Sequence, residues 1–264
     1  MATPPAGPEP YPFWKGHGTE NDFVLVPADV ELTRERIRAL CDRRAGIGGD
    51  GVIRAVREDG RWFMDYWNSD GSPSEMCGNG IRVFARHLRE EQGATFPLEV
   101  ATRDGVKVLT ESEPGFTADM GVPRLLGETS VSVGDRSWPA VHVDMGNPHA
   151  VAFVDALEDA GTLYDAPAHD PSVYPEGVNV EFVVRRGPGH VGMRVHERGS
   201  GETRSCGTGA CAVAVAAATA DGVTRPATYR VDVPGGSLEV TWTEDDRVLL
   251  AGPAEIVARG TTSL

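Results

Sequence analysis

The chain has 264 residues, enough for two domains of ordinary size and a sizeable core. Its 40% hydrophobic and 24% charged content predicts a soluble globular protein, and no apolar run reaches the ~18 residues of a membrane-spanning helix. With 25 basic against 39 acidic residues the formal net charge is −14, which argues against nucleic acid and anionic membrane surfaces as partners but says little about a small zwitterion held by local groups.

The opening MATPPAGPEPYP has neither the basic start nor the apolar core of a secretory signal, and its prolines predict a disordered extension. The absence of a signal, with four cysteines in a chain this long, predicts reduced thiols and a cytoplasmic location. DFVLVP (22–27) reads as a strand. LTRERIRALCDRR (32–44) reads as an amphipathic helix with Leu32, Ile37, Leu40 and Cys41 on or near one face. GVIRAV (51–56) and WFMDYWN (62–68) are strand-like. From Cys77, apolar residues at Ile81, Phe84, Ala85 and Leu88 have the i, i+3, i+4, i+7 spacing of a helix. LEVATRDGVKVLTE (98–111) predicts strands about a turn at Asp104-Gly105, and FTADMG (116–121) another.

Near Ala118 the cycle restarts. VSVGDRSWPAVHVDMG (131–146) predicts a hairpin turning at Gly134-Asp135. AVAFV (150–154), VNVEFVV (178–184) and VGMRVHE (191–197) are further strands. Cys206 then opens a second helix, GTGACAVAVAAATA (207–220), apolar on nearly every face and so buried all round. YRVDV, SLEVTWT and VLLAGPAEIVA (248–258) close the chain as strands. Each half thus reads as mostly antiparallel strands with one central helix, divided as 1–118 and 119–264, the last ten residues or so packing back on the first half.

Two segments repeat. MDYWNSDGSPSEMCGNG (64–80) and MRVHERGSGETRSCGTG (193–209) align without a gap at an offset of 129 residues, which superposes Cys77 on Cys206. GHGTENDFVLV against VDMGNPHAVAFV matches Asn21 to Asn147 at an offset of 126. A thiol at a helix N-terminus faces unpaired N–H groups and the positive end of the helix dipole, so the pKa of both cysteines is expected to fall. The glycines let backbone amides approach an anion such as a substrate carboxylate. Two such thiols in equivalent places suit removal of a proton from one face of a carbon and delivery of one to the other. Cys41 and Cys211 read as core residues. Cys206 and Cys211, five apart on a helix, point in different directions, against a metal site. GIGGDG (46–51) follows a helix and precedes a strand, the reverse of a dinucleotide-binding turn. The remaining polar candidates are Asn21, Asn68, Asn79, Asn147, Asn179, Glu197 and Arg198, the last able to clamp a carboxylate with two hydrogen bonds.

KGHGTENDFVLV, CDRRAGIGGDGVI, NSDGSPSEMCGNGIRVFAR, MGNPHAVAFV, GVNVEF and HERGSGETRSCGTGACA together resemble the diaminopimelate epimerase family, most closely its actinobacterial members, from about Phe13 onward. The resemblance implies an α+β fold of two similar, pseudo-two-fold related domains, each a mixed, mostly antiparallel barrel-like sheet around a central helix, with the site between them. It implies interconversion of LL- and meso-diaminopimelate without cofactor or metal, in lysine and peptidoglycan biosynthesis, by a cytoplasmic protein that is a possible homodimer. Cys77 and Cys206 become the acid–base pair. Gly78, Asn79, Gly207 and Thr208 would hold the reacting carboxylate. Asn21, Asn68, Asn147, Asn179, Glu197 and Arg198 would recognise the distal end, and His149 would sit near the thiols. Two positions depart from the family pattern: Gly51 stands where Gln is common, and Trp67 is bulkier than the Arg or Asn expected before Asn68. The rival readings are a proline- or hydroxyproline-type racemase, a phenazine-type isomerase, against which the presence of Cys77 speaks, and a non-enzymatic thiol redox sensor.

Overall fold

The computed structural model describes residues 9–264, so most of the Pro-rich start lies outside the described residues. Its last two residues, Tyr11 and Pro12, are not a tail: they open a strand. The chain forms two units. One runs to Thr110 and is completed by Ala254–Leu264; the other is Glu111–Pro253.

The first unit contains β1 (Tyr11–Gly18), β2 (Asn21–Val26), α1 (Arg34–Cys41), β3 (Gly51–Glu58), β4 (Arg61–Asn68), α2 (Gly78–Glu91), β5 (Leu98–Thr102) and β6 (Gly105–Ser112). The second contains β7 (Gly115–Asp119), β8 (Arg124–Val133), β9 (Arg136–Asp144), β10 (Pro148–Phe153), β11 (Ala168–His169), β12 (Asn179–Gly187), β13 (His190–Glu197), β14 (Gly201–Thr203), α3 (Gly207–Asp221), β15 (Ala227–Val233), β16 (Gly236–Trp242) and β17 (Val248–Gly252). The last strand, β18 (Glu255–Thr262), belongs to the first unit, where it pairs with β1.

The pairing pattern repeats. In the first unit β1–β2 is antiparallel, β2–β3 parallel, β3–β4 antiparallel, β4–β5 parallel and β5–β6 antiparallel. In the second, β9–β10, β10–β12, β12–β13, β13–β15 and β15–β16 run in the same senses and the same order. The helix after β4 is α2 and the helix after β13 is α3, so the duplicated segments read from sequence occupy the same topological place in each unit. The registers coincide residue by residue: Phe23 pairs with Gly51 as His149 pairs with Asn179, and Ile53 with Tyr66 as Glu181 with Val195.

Local chemistry sets the element ends. Thr33 Oγ1 accepts from Arg36 N–H at 3.2 Å, so α1 begins at Arg34 and is shorter than the periodicity suggested. Gly222, at φ 64°, ends α3 in the left-handed conformation that glycine adopts without penalty. α3 buries every residue from Gly209 to Ala218, whereas α2 keeps Arg86, Arg89 and Glu90 on its outer side. Among the described residues no helix is long and apolar enough to cross a membrane.

Three sequence expectations change. The division falls at Thr110/Glu111, not at residue 118, because β7 pairs with β17 and so joins the second unit. VLLAGPAEIVA is two strands: Pro253 lacks the N–H a ladder needs, and the arms on either side pair in different units. β1 was unforeseen, since YPFWKGHG carries a proline and two glycines and has no clean alternation; pairing with β2 and β18 overrides that weak local preference.

Candidate active site

Each repeated cysteine is the N-cap of its helix. Cys77 and Cys206 have extended backbones (φ −138° and −122°), and their sulfurs accept from the N–H three residues on, Gly80 at 3.4 Å and Gly209 at 3.3 Å. Cys-Gly-x-Gly is therefore a capping motif with sulfur in the place usually held by a serine or aspartate oxygen. The first helical turn, Gly78-Asn79 or Gly207-Thr208, lies beside the thiol, with backbone N–H groups at the positive end of the helix.

Around Cys77 the groups are polar and mutually bonded. Its Sγ lies 3.5 Å from Asn21 Oδ1, which also accepts from Asn79 Nδ2 at 3.2 Å. Asn21 Nδ2 donates to Asp50 Oδ2 at 2.7 Å, fixing the amide. Asn79 is wholly buried, and its Oδ1 accepts from Arg82 Nη2 at 2.9 Å. Its side chain thus braces the helix start. Asn68 ends β4, with Tyr66 Oη donating to its Oδ1 at 3.0 Å and its Nδ2 donating to Ser72 Oγ at 3.1 Å.

The structure gives a reason for Gly51 and a partner for Trp67, the two departures from the family pattern. A Cβ on Gly51 would stand 2.4 Å from Trp67 O and 2.6 Å from the Tyr66 ring, so no side chain fits at position 51. Trp67 donates its indole N–H to Asp65 Oδ1 at 2.8 Å, and Asp65, 3% exposed, is paired with Arg54 at 2.7 Å and with Arg103. The indole caps a buried carboxylate.

Around Cys206 the groups form a chain. Sγ lies 3.6 Å from Thr208 Oγ1, and Asn147 Nδ2 donates to Thr208 Oγ1 at 3.4 Å. His149 Nε2 meets Asn147 Oδ1 at 3.0 Å, and His149 Nδ1 meets Glu181 Oε1 at 2.7 Å. Asn179 opens β12: its Nδ2 donates to Pro148 O at 3.1 Å, and its Oδ1 accepts from Arg198 N–H at 2.9 Å. Glu197 ends β13 and accepts from Thr203 Oγ1. The Arg198 side chain is exposed, its methylenes lying along Gly177.

The expected fall in thiol pKa does not hold for Cys206. Burial pushes this thiol well above its ordinary value, and the Glu197 and Glu181 carboxylates push in the same direction. The bonds from Thr208 and Gly209 oppose this and are outweighed. Cys206 is 5% exposed, so desolvating a thiolate costs more than one helix terminus returns.

Sequence reasoning passed over Glu181 and Asp50. The signal for Glu181 was present: an acid at an inward position of VNVEFVV is costly in an apolar strand unless it has a partner. Cys41, 5% exposed, belongs to the core cluster of α1 and β2, and burial raises its thiol to about 12. Cys211 is fully buried within α3, and among the described residues no three His, Cys, Asp or Glu side chains are grouped to hold a metal ion.

Comparison with known proteins adds names to this geometry. The sequence model of a family described as diaminopimelate epimerase matches residues 13–126 and 141–257. A protein of Streptomyces coelicolor named diaminopimelate epimerase is 56% identical over 271 residues, which cover 94% of each chain. Among solved structures, a phenazine biosynthesis protein of Bacillus anthracis has a TM-score of 0.74 at 16% identity, covering 96% of this chain and 99% of its own. A hydroxyproline epimerase of Agrobacterium vitis has a TM-score of 0.70 at 12% identity, covering 96% and 92%. At such low identity the two structures share the fold alone.

Proposed function

This chain belongs to the diaminopimelate epimerase family, and on that premise we propose that it interconverts LL- and meso-diaminopimelate through two thiols, Cys77 and Cys206. The observation that carries this reading is that both cysteines cap the helices of two topologically equivalent units through the same Cys-Gly-x-Gly motif. One thiolate removes the α-proton from one face of the carbon. The other thiol delivers its own proton to the opposite face, leaving the enzyme with the two protonation states exchanged. The N–H groups of Gly78, Asn79, Gly207 and Thr208 hold the reacting carboxylate and take up the charge that grows on it as the α-proton leaves. Asn21 and Asn147, beside the capped turns, and Asn68, Asn179, Glu197 and Arg198 recognise the amino-acid end that does not react. A guanidinium suits the distal carboxylate, and the Glu197 carboxylate suits the distal ammonium. A cytoplasmic location and a homodimeric state belong to the same proposal.

The test is LL-diaminopimelate in D2O. The wild-type protein is expected to form the meso epimer and to place deuterium at the α-carbon. Cys77→Ser and Cys206→Ser should each lower turnover by roughly a hundredfold or more, since a hydroxyl is a far weaker acid–base group, while leaving the circular dichroism spectrum unchanged. Substantial epimer formation by either single variant would sink the two-thiol assignment. A wild-type protein that exchanges no α-proton would leave the redox-sensor reading standing.

A further inference from the structure

The two repeated units differ at the floor of the thiol site. In the first, the positions under the start of α2 are apolar: Phe23 and Ile53, both wholly buried, each approach to 3.4 Å of where a Cβ on Gly80 would stand. The coincident registers place His149 and Glu181 at these same two positions of the second unit. Both are also wholly buried, and they bond to each other at 2.7 Å. The fold therefore has no need of a polar pair here, because its other half packs the place with hydrocarbon. A buried acid costs more than an isoleucine unless it does something.

Its location shows where it acts. A Cβ on Gly209 would stand 2.7 Å from Glu181 Oε1 and 3.2 Å from Cys206 Sγ, so the carboxylate lies against the capped turn beside the sulfur. Glu181 Oε2 is buried and has no hydrogen-bond partner in the described structure, so the carboxylate is held through Oε1 alone, by His149. His149 is in turn seated by Asn147, which reaches Thr208 and so the thiol's own turn. The charged and titratable groups around this place are Glu181 on β12, His149 on β10 and Glu197 at the end of β13, with the Tyr174 hydroxyl in the field of Glu181. The two carboxylates, Glu197 and Glu181, set negative charge against a buried sulfur, and such a charge disfavours a thiolate.

We propose that Glu181, seated by His149, is a positioning residue that adds to burial and to the Glu197 carboxylate in keeping the Cys206 thiol in its proton-bearing form in the substrate-free protein, so that the two halves of the repeat present chemically unlike thiols. The proposal rests on the two-thiol reading above and deepens it: in the resting protein Cys206 carries the proton and serves as the acid of the direction that starts from this form, with Cys77, over its apolar floor, as its base; the reverse direction starts from the exchanged form.

The experiment is the pH profile of alkylation by iodoacetamide, followed separately for the Cys206 and Cys77 peptides by mass spectrometry. In wild-type protein the Cys206 midpoint should lie above the value of about 8.5 for a free thiol. In Glu181→Gln it should fall by about one pH unit, equivalent to a tenfold gain in thiolate at a fixed pH on the acid side, while the Cys77 profile stays put. The double variant His149→Phe/Glu181→Ile installs the residues that the first unit packs at these places, and the same fall is expected in it; it decides the matter if Glu181→Gln fails to fold. With diaminopimelate as substrate, the alkaline limb of kcat should move to lower pH in both variants, because it reports loss of the proton the acid must deliver. A Cys206 midpoint at or below that of a free thiol in wild-type protein, or one that stays or rises in a folded variant, overturns the proposal. Alkylation needs no substrate, so these results decide it even where the diaminopimelate assay fails, an outcome that would sink the functional reading instead.

Discussion

In the proposed reading, specificity turns on Arg198. Its backbone N–H is tied to Asn179 and its methylenes lie along Gly177, so the stem is seated while the guanidinium, on an exposed side chain, can reach a ligand. A planar guanidinium holds a carboxylate with two parallel hydrogen bonds, and an ammonium cannot. Arg198→Lys is therefore expected to raise KM for diaminopimelate roughly ten- to a hundredfold, the equivalent of about 1.5–3 kcal/mol for a charge-assisted bond, with kcat little changed. Unaltered KM would put the distal clamp elsewhere, and racemisation of proline by the wild-type protein would show that there is no clamp. Two glycines make a sharper contrast. A Cβ at Gly80 meets ordinary contacts at 3.4 Å, whereas at Gly209 it collides with the buried Glu181 carboxylate. Gly80→Ala should be nearly neutral in thermal denaturation, and Gly209→Ala should cost about 1–3 kcal/mol by overpacking; equal effects would mean that the carboxylate can move aside. The sequence singled out Cys77 and Cys206 because their glycine-rich context is duplicated. It did not show the direction of the Cys206 shift, because the carboxylates and the burial that set it come from β12 and β13, brought to the start of α3 only by folding.

At the scale of elements, the helices were legible and the weak strands were not. α2 and α3 announce themselves by apolar spacing and by a capping motif, and those cues are local. β1, β11 and β14 form because a partner strand is present, and no window of their own residues encodes that. One consequence of how α2 packs is a dependence on pH. His87, 2% exposed, meets the Trp14 ring edge-to-face at 4.6 Å, and burial lowers its pKa to about 4, with Glu91 opposing the shift. In the unfolded chain it titrates near 6.5, so between pH 6.5 and about 4 the unfolded state binds the extra proton. Stability contributed by neutral His87 is thus full above pH 6.5 and is lost as pH falls through that window, at up to about 1.4 kcal/mol per pH unit. The carboxylates also titrate there, so the comparison must be differential: His87→Leu should flatten the fall in Tm between pH 6.5 and 4 relative to wild type. Parallel curves for the two proteins would show that His87 takes up its proton without unfolding α2.

For the whole molecule, the sequence revealed two similar halves but not the path of the chain through them. Repetition of CGNG and CGTG, and of the paired asparagines, is a statement about composition and order, which survives into topology. Where one unit ends is a matter of which strands share hydrogen bonds, and here that is settled by β7 joining β17 and by β18 returning past Pro253 to β1. The return is extensive. β18 pairs with β1 from Tyr11↔Thr262 to His17↔Glu255, Arg86 Nε donates to Ala254 O at 2.9 Å, and Arg259 pairs with Glu90 at 2.6 Å and Glu91 at 2.8 Å on α2. The C-terminal residues thus belong energetically to the N-terminal unit. A chain ended at Pro253 leaves β1 with β2 alone and uncovers the side of α2 that packs on β18, whereas β12, β13 and β15 keep all their partners. Amide hydrogen exchange should then show protection falling by orders of magnitude in β1 and α2 while the second unit keeps nearly its full protection, since regions open in cooperative blocks set by their own contacts. Equal loss in both units would show that the chain unfolds as one block, and no loss in β1 would show that the returning strand is an ornament of the fold rather than part of its first half.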